Sequence, residues 1–266
     1  MFYSDYHVHT SFSGDCEATP ESMITKAIDL GLKKICLTDH YDADFPTDAI
    51  DFTFDIDTYF KTLSQLKEKY SNTIDLLIGV ELGLQPHLKG FYEDLLNSYD
   101  FDFIIGSSHV VDALDPYEKN YYNDKDEHTA YYRYLESIQE NIDAFSGFQV
   151  YGHLDYIIRY SPFKKHISYH DYTDILDKVF LNLIHRSKGI EVNTSGLRYG
   201  LGHTHPNMDI IKRYKELGGE ILTIGSDAHK PEDICSHFND VTTLLKDMGY
   251  KYYSIFQKQE PSFIKL

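Results

Sequence analysis

Residues Tyr3 to Cys16 read YSDYHVHTSFSGDC, a short β-prone start that breaks into His7-Val8-His9 and, six residues later, Asp15. Side chains alternate along a strand, so His7 and His9 would project from one face roughly 7 Å apart, close enough to grip a single cation. Taken alone, the pair reads at least as well as two half-buried strand histidines. What changes the weighing is recurrence, because an apolar run that stops abruptly at a polar side chain is found seven times along the chain.

The first run spans Phe2 to His9, and the second, Lys34 to Thr38, stops at Asp39-His40. The third, Ile74 to Val80, ends in Glu81, and the fourth, Phe101 to Ser108, in His109. The fifth, Phe148 to Gly152, ends in His153 with Asp155 beyond it, and the sixth, Gly189 to Val192, in Asn193 and a turn reaching Arg198. The seventh, Glu220 to Gly225, reaches Ser226-Asp227-Ala228-His229. Helical stretches separate most of them. Thr19-Pro20-Glu21 supplies an N-cap, a first-turn proline and an acidic first turn for a helix to Leu30 that Gly31 stops. Further amphipathic segments run around Asp57 to Tyr70, from Asp171 to Lys188, and from Pro206 to Leu217.

Alternating strand and helix implies parallel strands with right-handed crossovers. A parallel α/β barrel gathers the C-terminal ends of all its strands at one mouth, so seven polar strand ends would converge there. An open doubly wound sheet is the rival, but it places ligands at one switch point and does not recruit every strand. No strand is followed by GxGxxG or GxxxxGK[ST], which leaves a nucleotide cradle unsupported. The tail carries one more strand-like piece, Tyr252 to Phe256, expected to close or cover the barrel. With no internal repeat and no linker, residues 1–266 read as a single barrel domain.

Composition sets limits. The 42 acidic against 25 basic residues give a net charge of −17, which argues against nucleic acid as a partner. The same surplus would repel a small phosphate unless cations held by acidic and histidine side chains reverse the field locally. Cys16, Cys36 and Cys235 are odd in number, widely spaced and free of any CxxC, which suggests reduced thiols of a cytoplasmic chain. No apolar run reaches membrane-spanning length and no basic leader opens the chain, so a soluble, unprocessed protein with no membrane partner is expected.

Collected at one mouth, the candidates are His7, His9, Asp15, His40, Glu81, His109, His153, Asp227 and His229. Imidazoles and carboxylates without thiolate suit Zn, Mn or Fe better than Ca or Mg. Nine ligands exceed what one divalent ion takes but fit two or three if a carboxylate bridges. Paired divalent ions generate a nucleophilic water and clamp a phosphoryl oxygen, the arrangement for in-line hydrolysis.

The motifs DYHVHTSFSGD, LTDH, GVELG, GSSH, YGHLD and GSDAH, in this order, resemble the series of the polymerase and histidinol phosphatase (PHP) superfamily, from Asp5 to about Pro231. YGHLDYIIRY and EVNTSGLR further resemble its histidinol-phosphate phosphatases of the HisK type. That resemblance implies a distorted (β/α)7 TIM-like barrel with the metal site at the C-terminal mouth. It assigns His7, His9, Glu81 and Asp227 to a first metal, Glu81, His109 and His153 to a second, and Asp15, His40 and His229 to a third. It also implies Arg159 and Arg198 as phosphate ligands, a use that suits the guanidinium fork.

The activity so implied is that of a metal-dependent phosphomonoesterase on L-histidinol phosphate in histidine biosynthesis, through a metal-bridging hydroxide. Asp227, His229 and a metal-bound water are the candidate proton donors. Competing readings are a related phosphoesterase on another small phosphate ester or nucleotide, and a metal-binding protein without catalysis. The last fits poorly with nine ligands, since a structural site normally closes with four.

Other residues carry weaker expectations. His203-Thr204-His205 reads as loop polarity, and His87, His128, His166, His170, His185 and His237 as surface or helix residues. Asp39, Ser108 and Asp155 are candidate acceptors that orient imidazoles. The tyrosines between Tyr117 and Tyr134 read mainly as helical packing, and Cys16 as a small buried filler.

Overall fold

The computed structural model describes residues 3–47, 49–163 and 165–266; Phe2, the first residue of the first apolar run, lies outside them. In chain order the elements are β1 (Ser4–Asp5), α1 (Pro20–Asp29), β2 (Lys34–Leu37), β3 (His40–Tyr41), α2 (Ile56–Tyr70), β4 (Asp75–Gly83), α3 (Lys89–Ser98) and β5 (Phe103–Ser107). They continue with α4 (Glu127–Ala144), β6 (Val150–Tyr151), α5 (Thr173–His185), β7 (Gly189–Asn193), the one-turn α6 (Ser195–Arg198), α7 (Met208–Glu216), β8 (Leu222–Gly225) and α8 (Phe238–Asp247). A hairpin of β9 (Tyr252–Gln257) and β10 (Glu260–Lys265) ends the chain.

Strands β1, β2, β4, β5, β6, β7 and β8 pair side by side in that order, every pair parallel, and β3 adds to β4. The ring nearly closes where Val8 bridges Ala228, with His9 N–H donating to the Ala228 carbonyl at 2.9 Å. Each of the seven predicted runs therefore contributes one strand to the barrel. Two details differ from expectation. The first strand stops at Asp5, so His7-Val8-His9 is extended chain held by the bridge to Ala228 and not a regular strand face. His40–Tyr41 is a strand of its own, pairing in register with Glu81 and Leu82, which sets the His40 and Glu81 backbones side by side.

Local chemistry explains the helix ends. Thr19 Oγ1 accepts the Ser22 N–H at 3.2 Å and caps α1, as Asp55 caps α2 and Asp126 caps α4. Gly31 follows α1 at φ +76°, a left-handed conformation that halts the helix at little cost. Strands with helices on the outer face and the barrel interior on the other read as continuous apolar runs because both faces are buried, and β2, β5, β7 and β8 are buried at every residue. Large tyrosines fill the space between layers with their hydroxyls satisfied by carbonyls: Tyr59 on Leu37 and Gly79, Tyr92 on Gly83, Tyr214 on Ile221.

The tail covers the barrel and does not extend its ring. Tyr6 Oη donates to the Phe256 carbonyl at 2.6 Å, Ser254 Oγ accepts the Leu222 N–H at 3.1 Å, and Phe256 stacks on Phe103 with ring centres 5.2 Å apart. Leu222 and Phe103 are the first residues of β8 and β5, and Tyr6 directly follows the two-residue β1. The hairpin thus seals the end opposite the predicted mouth. Its two-residue turn has both Lys258 and Gln259 at positive φ, as a type I′ connection needs.

Candidate metal centre

Glu81 is fully buried near the C-terminal end of β4, and imidazoles surround both its oxygens. Oε2 lies 2.9 Å from His40 Nδ1, 3.2 Å from His7 Nε2 and 3.6 Å from His9 Nε2. Oε1 lies 2.9 Å from His153 Nε2 and 3.4 Å from His109 Nε2. Asp227 Oδ1 adds a second carboxylate 3.4 Å from His9 Nε2, and Asp15 Oδ2 stands 3.3 Å from His229 Nε2 and 3.9 Å from His40 Nε2. All nine predicted ligands meet in one place, supplied by the ends of β1, β4, β5, β6 and β8, by β3, and by the loop before α1.

A layer of partners fixes the rings. Glu191 Oε1 takes His7 Nδ1 at 2.6 Å, Asp42 Oδ2 takes His109 Nδ1 at 2.8 Å, and Ser13 Oγ takes His9 Nδ1 at 3.0 Å. Ser107 Oγ donates to Glu81 Oε1 at 2.7 Å. Such contacts select which ring nitrogen faces inward. Asp42, Ser107, Glu191 and Ser13 were not predicted. Glu191 had a signal, a charge in the middle of an apolar strand; Asp42 had none beyond following His40 by two residues. Gly225 makes this layer possible, since a Cβ there would stand 2.2 Å from Glu191 Oε1 and 2.5 Å from His7 Cβ.

Electrostatics point to a cation. Burial alone would raise the Glu81 carboxyl, but the His7, His40 and His109 imidazoles outweigh it and hold it well below the usual range. Burial likewise opposes charge on His7 and His40, yet Glu191 and Glu81 pull His7 well up, and Glu81 and Asp15 pull His40 up to about 9. His9 goes the other way, pushed down by burial and by the His229 and His40 rings. Rings of like polarity crowd together, His9 to His229 at 4.1 Å and His9 to His40 at 4.2 Å. His7 Nε2, His9 Nε2, His40 Nδ1 and Glu81 Oε2 are buried without a hydrogen bond among the described residues.

Buried donors and acceptors left unpaired are costly, so the arrangement fits divalent ions held between these atoms. Ligand atoms of His7, His9 and Glu81 lie within 4.8 Å of one another, as do those of Glu81, His109 and His153 and those of His9, His40 and His229.

A cavity of about 520 Å³ opens onto the cluster. Arg159 lines it, with its guanidinium 4.2 Å from the Tyr199 ring centre and 5.3 Å from that of Tyr156. Its Nη2 donates to Ser195 Oγ at 2.6 Å and pairs with Asp227 Oδ2 at 3.1 Å, while Nε is buried without a partner among the described residues. Arg198 sits a step behind. Its Nη1 and Nη2 donate to the Ser226 and Asp227 carbonyls at 2.9 and 2.8 Å, and Asp227 adopts φ +54°. A second cavity of about 570 Å³, near Gly218, Gly249 and Phe263 at the hairpin end, is lined by none of the nine.

Several weaker expectations come out differently. His203-Thr204-His205 is a buried segment and not loop polarity: His205 is fully enclosed and its Nδ1 donates to Asp155 Oδ1 at 2.5 Å. Asp155 therefore orients His205 and none of the nine. Asp39 holds the Thr10 and Ser13 N–H groups and reaches His9 only through Ser13. Ser108 bonds Tyr151 and Asn141, away from the imidazoles. His87, His128, His166, His170, His185 and His237 are exposed as expected. Tyr121, Tyr122, Tyr131 and Tyr134 are packed in the core, while Tyr117 lies exposed at the cavity. Cys16 is a buried filler whose thiol meets the His229 carbonyl.

Known proteins resemble this chain over most of its length. The PHP domain family model matches residues 5–195. The histidinol-phosphatase of Lactococcus lactis subsp. lactis is 31% identical over 254 residues, covering 95% of this chain and 93% of that protein. A probable histidinol-phosphatase of Clostridium acetobutylicum is 34% identical, covering 93% and 94%. The solved structure of the Lactococcus lactis histidinol phosphate phosphatase, complexed with Zn, L-histidinol and phosphate, superposes with a TM-score of 0.89 at 29% identity over 98% of each chain.

Proposed function

The chain belongs to the PHP domain family, and we propose that it is a metal-dependent phosphomonoesterase that hydrolyses L-histidinol phosphate to L-histidinol and phosphate. The observation that carries this reading is the meeting of nine imidazole and carboxylate side chains, Glu81 at their centre, with Arg159 at the wall of the same cavity. His7, His9, Glu81 and Asp227 would hold one ion, Glu81, His109 and His153 a second, and Asp15, His40 and His229 a third. Zinc is the metal of the Lactococcus lactis structure, and a thiolate-free set of this kind accepts Mn or Fe as well. Bound divalent ions supply nucleophilic water at neutral pH and offset phosphoryl charge.

The chain's own groups do the rest. Arg159 presents Nε to an anion, while Tyr199 and Tyr156 shield the guanidinium from water and keep its orientation. Arg198 keeps one N–H on each Nη beyond the carbonyl bonds, with its Nε 3.4 Å from Asp233 Oδ2, and in this reading it would be the second phosphate ligand. Asp227 is subject to burial, yet His9, His7 and Arg159 hold it well below the usual carboxylate range. In this reading it enters as acceptor and ligand, and His229 or water would give the leaving oxygen its proton. Further out, Phe45, Phe52 and Tyr160 with Asp115 and Glu118 line the cavity, a wall suited to a flat, cationic imidazole.

The test is phosphate release by the zinc-loaded protein from L-histidinol phosphate beside a panel of nucleoside monophosphates and small sugar phosphates. Preference for L-histidinol phosphate is expected. Equal or faster turnover of another ester would move the substrate assignment elsewhere in the family, and absence of phosphate release from every ester would end the enzymatic reading.

A further inference from the structure

The His203-Thr204-His205 segment has no part in the chemistry described so far, yet it ends in a fully buried imidazole paired with a buried carboxylate. Contacts from that pair run in both directions and meet again at Arg159. On one side, Asp155 opens the 3-10 turn Tyr156–Arg159, its carbonyl accepting the Ile158 N–H at 3.0 Å. On the other, the His205 backbone exchanges two hydrogen bonds with Asn193, at 2.7 and 2.8 Å. Asn193 Oδ1 accepts the Ser195 N–H and hydroxyl at 3.0 and 2.6 Å, and Ser195 Oγ accepts Arg159 Nη2. The side chain of Asn193 cannot turn over, because its Nδ2 donates to Glu191 Oε2 at 3.1 Å. Asp155 Oδ2 is occupied too, by the Asn207 N–H at 3.1 Å.

We infer that the buried Asp155–His205 pair is a positioning device for phosphate recognition, closing a ring of contacts through Asn193 and Ser195 that aims Arg159 into the cavity. His205, Asn193 and Ser195 are fully enclosed and Asp155 nearly so, so each bond in the ring is formed away from competing water. A guanidinium whose direction is set in advance loses little freedom when it meets an anion. The inference rests on Arg159 being a phosphate ligand, as proposed above. His205 and Asp155 act through Arg159 and are not catalytic residues.

The experiment is titration of the zinc-loaded protein with inorganic phosphate by calorimetry, together with the KM for L-histidinol phosphate and the bound zinc content. It compares the parent with His205→Gln, Ser195→Ala, Arg159→Met and the double variant His205→Gln/Arg159→Met. Loss of one charge-assisted positioning bond is expected to weaken phosphate binding and raise KM on the order of tenfold in His205→Gln and in Ser195→Ala, with zinc content unchanged. In the Arg159→Met background, His205→Gln should add almost nothing, because the residue it aims is gone. A tenfold further loss in the double variant, or parent-like phosphate binding by His205→Gln, overturns the proposal. Should His205→Gln not fold, Asp155→Asn alone and in the Arg159→Met background makes the same comparison with a smaller change, since it keeps the shape of the pair and removes its charge. Parent-like binding by Arg159→Met would overturn the functional reading of Arg159, and this inference with it.

Discussion

Glu81 offers an oxygen to each half of the cluster, with His7, His9 and His40 on one and His109 and His153 on the other. Glu81→Gln removes the charge common to all of them, and zinc binding should weaken roughly a hundredfold or more, beyond the loss caused by an outer partner. Asp42→Asn tests such an outer partner: it keeps the shape but lowers the basicity that His109 draws on, and zinc affinity read by chelator competition should fall roughly tenfold to a hundredfold. Gly225→Ala forces a methyl against Glu191 and His7 and should cost about 1–3 kcal/mol in urea denaturation. At this scale most of the nine inward-facing groups were legible because they end apolar runs, whereas Asp15, in the loop before α1, was marked only by its nearness to His7-Val8-His9 and by the family resemblance. Asp42 was not legible, and Glu191 showed only as a charge inside an apolar strand with nothing to name its partner, because these meetings are fixed by barrel closure: His7 lies 184 residues from Glu191.

Elements were legible where periodicity and caps agree. Thr19-Pro20-Glu21 and Gly31 bracket α1 almost to the residue, and the apolar runs hold the seven ring strands. Short pieces were lost. β3 has two residues, too few for an alternating pattern, and is made by pairing with β4. The segment through His205 looked like a polar loop since its burial comes from Asn193 and Asp155, both distant in sequence. The tail was recognised as a strand, but its use as a cover depends on single contacts to the barrel floor. Ser254→Ala tests that use: it leaves the buried Leu222 N–H unpaired, and stability should fall by about 1–3 kcal/mol in urea with zinc content unchanged.

The whole molecule carries a net charge of −17 but concentrates imidazoles at one mouth, and its stability should report on both. Without metal, His7, His40 and His109 are raised above 6.5, burial being outweighed by their carboxylate partners. Raised pKa values contribute stability that is complete below pH 6.5 and lost as pH climbs through about 9, the value for His40. Glu81 and Asp227 are depressed, so their share is present above about pH 4.5 and lost as acid protonates them. The chelator-stripped protein should therefore melt highest between these limits and lower at pH 9. The zinc-loaded protein should show the opposite change from pH 6 to pH 9, because ions compete with protons for the same nitrogens. Thermal unfolding of both forms at the two pH values checks this, and parallel curves would contradict it.

The same competition makes the position of the ions the central question. Anomalous diffraction from a crystal of the zinc-loaded protein answers it directly. The account predicts peaks on both sides of Glu81, each about 2.0–2.2 Å from one of its oxygens and within reach of the surrounding imidazoles. Zinc bound elsewhere, with the Glu81 carboxylate uncoordinated, would contradict it.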